Sequence, residues 1–219
     1  FTFKKDKQFR KFCAYGLLKN LRFYEAFLLL FLLDNGVSFS QIGILYAAKE
    51  ITTNILEIPS GFIADTYGRK TALMAALVAY IIGFLAYYIA IDFYWLLIAS
   101  VLIGAGDAFR SGTHKGMIIA YLKKHNWLDD KVAYYGLTRS WSQKGSALSA
   151  LTAGILVFFT GDYRSICLLT ILPYLLNLLN IYSYPEYLNY SNKKTTKKTS
   201  LKQTFGQFWT AIKHKKTLV

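Results

Sequence analysis

The chain has 219 residues, 54% of which are hydrophobic, and its mean hydropathy is +0.28. A soluble domain of this length is less apolar, so the composition excludes a protein whose only solvent is water. The formal net charge of +14 does not indicate nucleic-acid binding, because the basic residues fall between apolar segments in the pattern of membrane topology.

Six apolar segments reach, or nearly reach, the roughly 20 residues that a helix needs to cross a bilayer. They run at about 12–33, 39–63, 72–91, 93–122, 131–159 and 165–184. The third contains the uncharged run LMAALVAYIIGFLAYYIAI, whereas a helix of a soluble bundle carries a charged face. We therefore expect an all-α membrane protein with six transmembrane helices.

Lysine and arginine residues lie in alternate gaps between these segments. They crowd the N-terminus, the turns after the second and fourth segments, and the tail, whereas the other turns hold only Arg164. By the positive-inside rule, both ends of this chain are then cytoplasmic. We expect an integral protein of the bacterial inner (plasma) membrane, in contact with lipid and not with nucleic acid.

The turn between the second and third segments reads GFIADTYGRK. Gly61 allows two helices to approach closely, Gly68 allows a tight turn, and Asp65 can face the positive end of a helix. An ordinary basic loop is the alternative interpretation. The stretch resembles the loop signature of the major facilitator superfamily, whose matching positions here also include Arg69 and Lys70.

This resemblance implies two six-helix bundles that enclose a cavity and rock to expose it to alternate sides of the membrane. It also implies that Asp65 closes the cytoplasmic gate by docking on the other half. We expect residues 1–187 to form the N-terminal six-helix transmembrane bundle of such a fold. Residues 188–219 would form a basic cytoplasmic linker to a second half that this sequence does not include.

One face of that linker is apolar at helical spacing: Leu201, Phe205, Phe208, Trp209 and Ile212. Lysines flank this face. The pattern predicts an amphipathic helix that lies on an anionic membrane surface.

Charged and polar residues recur inside the apolar segments, where an ionisable group is costly and usually faces a partner or an aqueous cavity. The predicted substrate and cavity residues are Arg22, Glu25, Glu50, Asn54, Asp107, Arg110, His114, Arg139 and Gln143. Structural ion pairs are the alternative for Asp107 with Arg110 and for Glu50 with Lys49. A hydrogen-bonded structural role is the alternative for His114.

Basic residues outnumber acidic ones inside the predicted segments, which favours an anionic or zwitterionic small solute. The carboxylates nearest the middle of the membrane are Glu25, Glu50 and Asp107. They are the candidates to bind a coupling proton, if burial outweighs the nearby cations.

Together these features predict a secondary active transporter that moves a small solute by alternating access with proton coupling. A passive uniporter and a non-transporting receptor or scaffold on the same fold are the alternatives. The sequence shows no metal-ligand cluster, nucleophile elbow or phosphate-cradling loop. We therefore expect no enzyme activity, cofactor or metal.

Overall fold

A computed structural model describes residues 3–189, and in that range the chain forms α-helices, two short 3-10 helices and no strand. The α-helices are α1 (Lys7–Lys19), α2 (Leu28–Asp34), α3 (Phe39–Tyr67), α4 (Arg69–Ile89), α5 (Phe93–Arg110), α6 (Thr113–Lys124), α7 (Lys131–Thr160) and α8 (Arg164–Tyr182). The predicted amphipathic face at 201–212 lies outside the described residues.

Two of the six predicted segments are broken helices. The first divides into α1 and α2 around the non-helical residues 20–27, and the fourth divides into α5 and α6 at Ser111 and Gly112. Gly112 has φ 67, in the left-handed region that glycine adopts at little cost. Hydropathy does not reveal either break, because apolar residues continue on both sides.

Within residues 3–189, three stretches are long and apolar enough to cross a membrane: Arg69–Ile89, Phe93–Lys124 and Arg164–Tyr182. The helices α3 and α7 are also long enough, with 29 and 30 residues, but polar side chains interrupt their apolar runs. The predicted all-α class is confirmed. Three of the six predicted transmembrane segments are therefore long and apolar enough to cross a membrane.

Helix α4 lies among α3, α5 and α8. Its buried face contains Leu73, Leu77, Tyr80, Phe84 and Tyr87, which recur every three or four residues. The opposite side exposes isoleucine, leucine and valine side chains, as a helix in lipid does. Lipid tails are as apolar as leucine, so close van der Waals packing holds such helices together.

Glycine residues permit the closest helix crossings. A Cβ added at Gly145 of α7 would lie 2.5 Å from the carbonyl oxygen of Leu17 in α1. A Cβ at Gly104 of α5 would overlap the carbonyl oxygen of Lys49 in α3. At the second crossing, the Thr53 hydroxyl donates to the Gly104 carbonyl at 3.1 Å. These contacts set the spacing of the two helix pairs.

Arg164 joins three turns at one end of the bundle. Its Nη2 donates to Asn35 Oδ1 at 2.9 Å and to the Ala90 carbonyl at 3.2 Å. Asp65 lies in the last turn of α3, not in a loop as the sequence predicted, and α4 runs from just after this turn to the turn that contains Ala90. Asp65 and Arg164 therefore lie at opposite ends of the bundle.

We expect Gly145→Ala to destabilise the bundle, since the Leu17 carbonyl cannot move aside without a shift of α1. Overpacking of this kind costs roughly 1–3 kcal/mol, so the variant should unfold at a lower temperature in detergent. Gly154→Ala on the same helix is the matched control, because its added Cβ meets no described atom beyond its own helix within 4 Å. Equal unfolding temperatures for the two variants would contradict a close crossing at Gly145.

Candidate functional site

A cavity of about 350 Å³ lies between α1, α7 and the break that separates α5 from α6. The break brings the last residue of α5 and the first turn of α6 to the same wall. The middle of α7 forms the facing wall. The helix breaks and the crossing of α1 with α7 therefore border one polar space inside the bundle.

Basic side chains dominate the charge of this cavity. Among the described residues, Lys19, Arg110, Lys115 and Arg139 line it and no aspartate or glutamate does. The first turn of α6 adds to the positive potential, because the N-terminal end of a helix carries a partial positive charge. The cavity is thus suited to an anion.

Arg110 connects the cavity to a partly buried carboxylate. Its Nη2 donates to Asp107 Oδ1 at 2.8 Å, and its Nε donates to the Tyr80 hydroxyl at 2.8 Å. The Tyr80 hydroxyl donates to the same Asp107 oxygen at 2.6 Å. Lys49 lies 3.6 Å from Asp107 Oδ2. Asp107 therefore has two cationic neighbours, and it is linked to the cavity through Arg110.

Arg139 differs from Arg110 in having its guanidinium uncommitted. Within residues 3–189 it has no hydrogen-bond or ion-pair partner, and it is exposed. Lys144 lies five positions further along α7, outside the cavity lining, with its ammonium 4.7 Å from the centre of the Trp141 ring. Arg139 is therefore the arginine that is free to bind a solute.

The structure brings together four of the nine predicted cavity residues: Arg110, His114, Arg139 and Gln143. Asp107 is linked to them through Arg110. Asp107 forms an ion pair with Arg110, and Arg110 also lines the cavity. The pair is therefore compatible with a structural role and with a role in solute binding.

The other four do not line this cavity. Arg22 and Glu25 pair with each other at 3.2 Å in the non-helical stretch 20–27. Glu50 pairs with Lys49 at 3.2 Å. Asn54 donates from Nδ2 to the Glu50 carbonyl of its own helix.

Tyr15 and Asn20 are cavity residues that sequence reasoning missed. Tyr15 lies on α1, and Asn20 follows the last residue of that helix, Lys19. The two residues therefore form no polar stripe at helical spacing that the sequence could show. Only the break in the first segment places Asn20 at the cavity.

The loop that carries the glycine–arginine–lysine motif is held by residues 183–189, which we name the exit segment. The backbone N–H of Arg69 donates to the Asn189 carbonyl at 2.7 Å, and that of Lys70 donates to Asn189 Oδ1 at 3.0 Å. Asn189 thus caps the start of α4, whose first N–H groups have no partner within the helix. Gly68 has φ 102, and a Cβ there would overlap the Asn189 side chain.

Lys70 makes the second link to the exit segment. Its Nζ donates to the Tyr184 carbonyl at 3.1 Å and to Glu186 Oε1 at 2.8 Å. The hydrogen bond from Lys70 holds the pKa of Glu186 below its ordinary value. Lys11 donates to the Ser183 carbonyl at 2.5 Å, so basic side chains satisfy the carbonyls after α8.

The remaining motif residues have fewer contacts. Asp65 is exposed and has no hydrogen bond or ion pair with any residue between 3 and 189. A Cβ added at Gly61 would meet no described atom beyond its own helix within 4 Å. The gate role of Asp65 stays a prediction.

An all-helical membrane bundle with broken helices around a polar cavity has the architecture of a solute transporter. Residues 18–219 match the family model described as the Major Facilitator Superfamily, and the chain belongs to that superfamily. The predicted family is confirmed. This membership and the apolar helices show that the chain is part of an integral membrane protein.

One similar protein is the Hexuronate transporter of Bacillus subtilis (strain 168). The two chains are 28% identical over 125 residues, which are 56% of this chain and 28% of the relative. The match thus spans less than a third of the relative's length.

We expect Asn189→Ala to destabilise the motif loop, because the side-chain cap of α4 is lost. Removal of a capping side chain costs about 1 kcal/mol. Hydrogen exchange at the Lys70 amide should become faster, and the unfolding temperature should fall. Asn189→Asp retains an acceptor for the Lys70 amide but places a second carboxylate beside Glu186, so exchange at Lys70 should be slower than in Asn189→Ala. Fast exchange in both variants would show that the side-chain oxygen is not the cap.

Proposed function

We propose that this protein takes part in moving a small hydroxylated organic anion, of the sugar-acid class, across the bacterial inner membrane by alternating access with proton coupling. The observation that carries the proposal is the cavity lined by four basic residues and, among the described residues, by no acidic one. The name of the similar Bacillus subtilis protein, a hexuronate transporter, supports an anionic sugar derivative.

Arg139 is the proposed carboxylate-binding residue. A guanidinium can hold a carboxylate through two parallel hydrogen bonds, and this one has no competing partner among the described residues. Lys19 and Lys115 lie on the other walls and add positive charge. A solute held at Arg139 would therefore be surrounded by cations from three elements.

Arg110 provides a physical route for coupling. It contacts both the cavity and Asp107, so a solute anion that draws Arg110 towards the cavity weakens its hold on Asp107. Asp107 then binds a proton more readily. By thermodynamic linkage, protonation of Asp107 releases Arg110 to the solute and strengthens solute binding to the same extent. Glu25 and Glu50 have no comparable link to the cavity.

The orientation follows from the basic loops. The motif loop and both ends of this chain lie in the cytoplasm, and Arg164 lies on the other side. Residues 1–187 pair with a second six-helix half through the linker 188–219, and Asp65 docks on that half when the cytoplasmic side is closed. A passive uniporter is the second candidate, because Lys49 and Arg110 already neutralise Asp107.

We expect Arg139→Gln to raise the KM for uptake of a labelled hexuronate by about 10- to 100-fold. Hydrogen bonds to charged groups contribute roughly 1.5–3 kcal/mol, and each 1.4 kcal/mol is tenfold. The measurement is initial uptake into proteoliposomes that contain the full-length transporter. Lys144→Gln is the control, since it removes a positive charge from the same helix outside the cavity. Equal KM values for the two variants would contradict the assignment of Arg139.

We expect Asp107→Asn to abolish accumulation of the solute against its gradient when a pH gradient is applied. Exchange of internal for external solute should continue, because the amide leaves Arg110 free to bind the anion. Glu50→Gln is the control and should still concentrate the solute. Accumulation by the Asp107→Asn variant would exclude this residue from coupling and favour a uniporter or a coupling site elsewhere.

A further inference from the structure

The cavity contains a second kind of chemistry besides its positive charge. Neutral hydrogen-bonding side chains also line it: Asn20, His114, Ser142, Gln143 and Ser146. Polar groups inside a membrane protein are costly unless they have partners. A solute that carried only a carboxylate would leave these groups without a partner, so their presence has to be explained by another feature of the solute or by the fold.

His114 is held more firmly than the other neutral groups. Its ring stacks on Tyr15 with a centroid distance of 3.7 Å and an angle of 16°. The Phe12 ring meets it edge-on at 5.4 Å. The Tyr184 hydroxyl lies 3.4 Å from Nε2. Three aromatic residues thus fix the plane of the imidazole and occupy one of its two nitrogens.

The other nitrogen of His114 is available. Within residues 3–189, Nδ1 has no hydrogen-bond partner, yet it is not among the buried atoms that lack one. Nδ1 is therefore accessible, and the His114 side chain lines the cavity. A fixed group with a free hydrogen-bonding atom binds a ligand with little loss of conformational entropy.

The neutral groups of α7 lie in line with Arg139. Gln143 and Ser146 follow it by four and seven residues, which corresponds to about 6 and 10 Å along the helix axis. A carboxylate bound at Arg139 therefore places the remainder of the solute beside these side chains. His114 faces the same space from α6.

We propose that His114 is a specificity-determining residue that hydrogen-bonds a hydroxyl group of the solute, with Gln143 as a second hydroxyl-binding residue. The ligand class is then a polyhydroxylated acid, and a plain carboxylic acid of similar size is a poor substrate. This inference rests on the proposed anion transport and deepens it. The discrimination arises because an analogue without the hydroxyl leaves a polar group of the site unpaired.

The test compares a hexuronate with its monodeoxy analogues in proteoliposomes that contain the full-length transporter. For the unmodified protein, removal of one particular hydroxyl should lower kcat/KM about tenfold, the effect of one net hydrogen bond. His114→Phe should lower kcat/KM for the parent acid about tenfold and leave the value for that analogue nearly unchanged. The preference for the hydroxyl is then lost.

His125→Phe is the matched control. His125 is also stacked on an aromatic ring, that of Trp127 at 4.9 Å, but it lies outside the cavity lining. It should retain the full preference of the unmodified protein. If His114→Phe fails to fold, Gln143→Leu is tested with the same panel, since Gln143 is exposed and its loss does not disturb the core.

The outcomes separate this inference from the proposed function. A fall of the same factor for every acid in the His114→Phe variant would show a structural role and overturn the inference. Equal transport of hexuronate and hexanoate by the unmodified protein would also overturn it, while anion transport stands. No uptake of any organic anion would overturn both.

Discussion

The ion pair between Asp107 and Arg110 is the contact on which the centre of the bundle depends. It lies at the end of α5, where the chain leaves the helix, and it includes Tyr80 from α4 and Lys49 from α3. A partly buried carboxylate needs such partners, because removal of its charge from water is costly without a compensating neighbour. Arg110 of this pair also lines the cavity, so a change in the charges of the core changes the charge of the site as well.

The two broken helices explain why a polar cavity can exist inside an apolar bundle. Non-helical backbone is tolerated within a membrane where protein covers it or where it borders a polar cavity. At Gly112 the break exposes the first turn of α6 to the cavity, next to Arg110. The polar wall is therefore built partly from backbone ends and partly from side chains.

The motif loop was predictable in its residues but not in its contacts. Glycine, arginine and lysine in this order indicated a tight basic turn, and Gly68 does adopt a backbone conformation that favours glycine. The exit segment had no comparable signal. Asn189 reaches α4 from a distant part of the chain, and only the packing of α8 against α4 brings them together. Lys70 was predicted only as a basic residue of the motif turn, yet it also makes specific hydrogen bonds to the exit segment.

The sequence by itself determined the apolar segments, the alternation of basic turns and the superfamily, because hydropathy, charge and a short motif depend only on residue order. It also predicted that Arg110 and Arg139 lie within apolar segments. Only the tertiary structure decided which of these charges reach the cavity. Within residues 3–189, Arg110 lines it while paired with Asp107, Arg139 lines it without a partner, and Glu50 lies outside it. The physical reason is that these outcomes depend on helix rotation and on breaks between α1 and α2 and between α5 and α6, which hydropathy does not encode.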